Sequence, residues 1–149
     1  MILLLNIVTT VCIGLLIGTE FAVSVFINPV LSKLDDHAQA DAIRMFARRL
    51  GGVMPFWYGA SLLLLIIETI VRRYGPGDML LITACAIWIA VVIHTILVLV
   101  PINNRMIRID ASGLSPHAKR EHDKWDRLHR LRVAALSSSM VCFLVVVCR

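Results

Sequence analysis

The chain of 149 residues contains no Cys-x-x-Cys pair, no glycine-rich phosphate loop, no dinucleotide-binding fingerprint and no His-Glu-x-x-His segment. Their absence removes the sequence signals for paired-thiol or zinc sites, nucleotide-phosphate binding and zinc-hydrolase chemistry. Cys12, Cys85, Cys142 and Cys148 stand apart from one another in apolar stretches, where cysteine acts as a small apolar filler. Charge is scarce as well. Residues 2–27 carry a single charged side chain, Glu20. A carboxylate deep inside an apolar run is costly unless it is paired or protonated, so Glu20 marks a functional site by default. A neutral Glu bonded to a neighbouring helix is the structural alternative.

What the chain has in excess is apolar length. Hydrophobic residues make up 58% of it, above the roughly 45–50% of soluble domains. They fall into four blocks, about 2–27, 55–71, 79–100 and 131–148. As helices these reach roughly 25–39 Å, close to the hydrocarbon thickness of a bilayer. Backbone groups cannot stay unpaired in lipid, so each block should be helical. The expected fold is all-α, an integral membrane four-helix bundle forming one domain over 1–149. The first block lacks a basic leader and a cleavage site and should be retained.

Of the fifteen Lys and Arg residues, twelve lie between blocks one and two or around the third connection; Arg72, Arg73 and Arg149 do not. The positive-inside rule then places both long connections in the cytoplasm and both termini outside, with a bacterial inner or plasma membrane as the expected location. The net charge of +5 reads as a membrane-surface signature, not as a nucleic-acid footprint.

The long connections carry helix signals. Asp35 or Asp36 can cap a helix that Gly51 and Gly52 would end. Ile43, Phe46, Ala47 and Leu50 form its apolar stripe, suited to the membrane surface or to the mouth of the bundle. Pro55 would then occupy the first turn of the second span. Ser115-Pro116 begins a second helix, uninterrupted for about 33 residues into the fourth span. Pro101 should kink the third span where it leaves the membrane.

Counting from these ends puts Glu20 and His94 at one depth, roughly 10–12 Å below the cytoplasmic face. Trp57 and Tyr58 stand at the mouth of span two, and Asn103 and Asn104 follow span three. Trp125, His129 and Arg132 share one side of the last helix. Polar groups therefore converge on the cytoplasmic third of the bundle, a default ligand site. Each has a plainer reading: His94 as a packing histidine, Trp57 and Trp125 as interfacial anchors, Arg132 as a snorkelling cation. Glu68, four residues before Arg72, reads as a structural ion pair.

GTEFAVSVFINPVL in span one, VPINNR after span three and WDRLHRLRV before span four resemble the anthrone oxygenase-like family of small four-helix membrane proteins. The resemblance runs through almost the whole chain. It implies Glu20, Asn103, Trp125, His129 and Arg132 as site positions, with Pro29 and Asn104 secondary. It also implies oxidation of an anthrone-like aromatic with O₂ as co-substrate and no cofactor. His129 or His94, with Glu20, would take the proton; Arg132 and Asn103 would stabilise the oxyanion; Trp125 and Trp57 would stack on the substrate. No metal ligand set is expected. The expected partners are the bilayer and a hydrophobic small molecule, with a homo-oligomer left open.

Other classes fit the same residues. A haem- or metal-binding redox carrier would need His94 and His129 to face each other as axial ligands. A proton-coupled exporter would rest on Glu20, but the two connections of about 25–30 residues are long for that design. An accessory ligand-binding subunit needs only the cavity.

Overall fold

The computed structural model describes residues 2–109, 113 and 115–148; Arg149, counted above among the basic residues, lies outside them. Four long helical rods make the bundle. The first joins α1 (Ile2–Ala22) through a π-helical turn at Val23–Ile27 to α2 (Asn28–Leu31). The second is α3 (Asp36–Val71). The third joins α4 (Asp78–His94) through a π-helical turn at Thr95–Leu99 to α5 (Val100–Met106), and α6 (Pro116–Val147) is the fourth. All four are long and apolar enough to cross a membrane.

Ile13, Leu16, Leu65, Leu81, Trp88, Leu136 and Phe143 are fully buried where the rods meet. Apolar side chains such as Leu3, Phe26, Phe56, Met79, Leu97 and Leu131 face outward instead. A water-soluble bundle would hide them, whereas lipid is as apolar as they are.

The expected break at Gly51-Gly52 does not occur. Helix α3 continues through both glycines and encloses Pro55, which is therefore interior to a helix rather than in its first turn. The penalty for glycine in a helix is only about 1 kcal/mol each, and packing overrides it. Ala40, Ile43 and Ala47 bury against Leu31, Ile102 and Met106, so this stretch packs on the ends of the other rods. Phe46 remains 39% exposed. Asp35 caps α3, accepting from the backbone N–H of His37 at 3.1 Å and of Ala38 at 3.0 Å.

Pro101 does not stop its helix either. Its ring lacks an N–H and crowds the carbonyl four residues back. The chain widens to a π-turn, in which the Val100 N–H bonds to the Thr95 carbonyl. Pro29 is preceded by the same device, with the Asn28 N–H bonded to the Val23 carbonyl. Helix α6 begins as its sequence implies, with Ser115 accepting from the Ala118 N–H at 3.2 Å.

Near the opposite ends of α1 and α3, Glu68 pairs with Arg72 at 3.2 Å, and Arg72 also donates to Asn6 at 2.9 Å. Glu68 is thus held in a structural ion pair, away from the cluster described next.

Candidate functional site

Glu20 is only 2% exposed and is held from three sides. Tyr58, across on α3, donates its hydroxyl to Oε1 at 3.1 Å. Arg132, on α6, donates to Oε2 at 2.5 Å. His129 places Nδ1 3.1 Å from the same Oε2 and Nε2 3.0 Å from the backbone oxygen of Glu20. Three rods therefore supply the cluster. The i, i+3 spacing of His129 and Arg132 on α6 brings both toward one carboxylate.

The contacts suit a neutral imidazole with its hydrogen on Nε2. A carbonyl oxygen only accepts, so Nε2 carries the hydrogen and donates to the Glu20 backbone. Nδ1 is then unprotonated and accepts from Arg132 at 2.8 Å. The same nitrogen lies within reach of the Glu20 carboxylate. If it gains a proton, Nδ1–H has an anionic acceptor waiting at 3.1 Å. The cluster in this form holds one cation, one anion and one neutral base.

Trp125 lies between His122 and His129 in a stack along α6, with ring centroids 6.2 Å and 4.6 Å away and planes within 12° of parallel. The closer ring, His129, stacks on one face of the indole. Asn28 braces α6 from the first rod, donating to Asp126 at 2.6 Å.

These groups form one wall of a cavity of about 480 Å³. Single-ligand pockets span roughly 300–1,000 Å³. Glu20, Tyr58, Asn103, Asn104, Trp125, His129 and Arg132 all line it, alongside apolar groups such as Leu62, Val92 and Leu99. Asn103 is anchored by donating to the Ala47 carbonyl at 3.2 Å. It comes close because residue 51 is glycine: a Cβ there would lie 2.9 Å from the Asn103 amide nitrogen.

Seven of the ten sequence-derived candidates thus converge on one cavity. His94, Trp57 and Pro29 do not line it. Trp57 instead donates its indole N–H to the Cys12 carbonyl at 3.1 Å, tying α3 to α1. At the end of α4 it is Thr95, not His94, that faces the cavity, where the π-turn begins. Thr95, Arg48 and the glycines of α3 are lining residues that sequence reasoning missed. The X-Pro after span three was the available sign of an irregular turn there. Among the described residues, no group of three or more His, Cys, Asp or Glu side chains is arranged to hold a metal ion.

The sequence pattern of the anthrone oxygenase family matches residues 43–142. No curated protein and no solved structure matches the chain.

Proposed function

The chain belongs to the anthrone oxygenase family, and from that premise we propose that it is a membrane-embedded oxygenase acting on a flat, hydrophobic aromatic of the anthrone class. The observation that carries the reading is the buried Glu20–His129–Arg132 cluster set in the wall of a largely apolar cavity.

The reaction converts a ring CH₂ and O₂ into a ring carbonyl and water. His129 Nδ1 takes the first ring proton once Arg132 releases it, and the imidazolium that forms is stabilised by Glu20. The electron pair left on the substrate delocalises onto its ring oxygen, where Arg132 and Asn103 are the donors available to stabilise an oxyanion. The carbanion transfers electrons to O₂ and forms a C–O bond, and the peroxide takes a proton to give a hydroperoxide. Loss of the second ring proton then breaks the O–O bond and expels water, leaving C=O. Oxygen is the oxidant, so the step balances without another redox group. Apolar walls keep bulk water from reprotonating the carbanion. The bilayer supplies the substrate phase, with both long connections in the cytoplasm.

The test is an O₂-electrode assay of the purified protein with anthrone in detergent, alongside its absorption spectrum. The reading expects one O₂ consumed per anthraquinone formed, well above the uncatalysed rate, with no Soret or flavin band. Absence of any catalysed uptake, or activity that tracks a bound chromophore, would contradict it.

A further inference from the structure

The glycines of α3 do more than permit Asn103 to approach. Gly52 and Gly59 line the cavity and are exposed. A Cβ built on either meets nothing within 4 Å. Pro55, between them, is likewise exposed and lines the cavity. Across from this face, Ile96 and Val100 line the cavity while being 59% and 38% exposed. Residues that both line a cavity and reach the surface mark its opening. The opening therefore lies in the side of the bundle, between α3 and the third rod.

Its composition is graded. Arg48 and Asn104 lie toward the end where α3 and α5 leave the apolar blocks, whereas Gly59, Leu62, Val92 and Ile96 lie within them. Outward-facing Phe56 and Leu97 stand beside the opening on the two rods. Such side chains belong in hydrocarbon, so the slot runs from headgroup level into the acyl region.

We propose that this glycine-lined slot is a lateral portal through which a bilayer-dissolved aromatic enters the cavity directly from the membrane. The proposal rests on the ligand cavity described above and adds the route and the phase from which the ligand comes. A portal of glycines leaves a gap at the height of the acyl chains without interrupting the helix that borders it.

The test compares the wild type with Gly59→Leu and Gly18→Leu in lipid nanodiscs. Gly18 is also an exposed helical glycine with open space beyond it, but it does not line the cavity. The probes are anthraquinone, which partitions into the bilayer, and anthraquinone-2-sulfonate, which is supplied from water; the readout is the rate of tryptophan quenching. Gly59→Leu should slow both association and dissociation of anthraquinone about ten-fold while shifting Kd much less. Gly18→Leu should match the wild type, and the sulfonate should be slowed far less than anthraquinone by Gly59→Leu. Wild-type anthraquinone rates in Gly59→Leu, equal slowing of both probes, or loss of affinity without a change in association rate would overturn the portal. Failure of either probe to quench the wild type would instead contradict the ligand cavity beneath it. Because binding is read rather than turnover, an inactive protein leaves the portal test intact.

Discussion

Glu20 and Arg132 show how one pair can serve stability poorly and chemistry well. Removing either partner strands a charge away from water, at a cost of about 3–5 kcal/mol, whereas replacing both with apolar residues of similar volume is often neutral or stabilising. Glu20→Leu and Arg132→Leu should therefore each lower the thermal midpoint, and the double variant should recover most of the loss. Catalysed O₂ uptake should be absent in all three. A double variant no more stable than the singles would show that the cluster is held for packing; one that keeps activity would remove it from the mechanism. His129 differs because its imidazole is neutral in this arrangement and is bonded at both nitrogens. Its replacement removes a base without stranding a charge of its own.

At the scale of the elements, the two π-turns set the shape of the cavity. Val23 lines it from the first turn, and Thr95, Ile96 and Leu99 line it from the second. Each turn ends just before a proline-containing dipeptide, so two local sequence features build two of the walls. The start of α3 responds to pH. The Ala38 N–H, helped by that of His37, holds the Asp35 carboxyl below its ordinary value of 3.8. A depressed carboxyl contributes stability that is present above its unfolded pKa and is lost as pH falls through the folded one. Asn caps about as well as Asp but does not titrate. The wild type should therefore exceed Asp35→Asn in thermal midpoint at neutral pH by a modest margin, as expected for an exposed group, and the margin should vanish well below pH 3.8. A margin that persists unchanged in acid would mean that the carboxylate charge is not what stabilises this helix start.

For the whole molecule, the bilayer explains which features were legible in the sequence. Four apolar blocks, the Ser115 cap, the Glu68–Arg72 pair and the common face of Trp125, His129 and Arg132 follow from length, spacing and local chemistry, and the structure contains each of them. Counting along the chain gives a level for Glu20 because rise per residue is nearly constant. It says nothing about direction around the helix, where successive residues differ by about 100°. Hence depth alone points to His94, whereas its neighbour Thr95 is the residue that meets the cavity. Gly51, Gly52 and Pro55 read as a boundary because local propensity was all the sequence offered; tertiary packing carries α3 through them. Trp57 was ambiguous for the same directional reason, since its neighbour Tyr58 is the one that reaches Glu20. The central claim is that His129, oriented by Glu20, is the base for a ligand held in this cavity. It is tested most directly by measuring kcat with anthrone and Kd for anthraquinone on the same preparation of His129→Ala. The account predicts a fall in kcat of about 10²–10⁴-fold, with Kd little changed. A variant that turns over anthrone at the wild-type rate would contradict it.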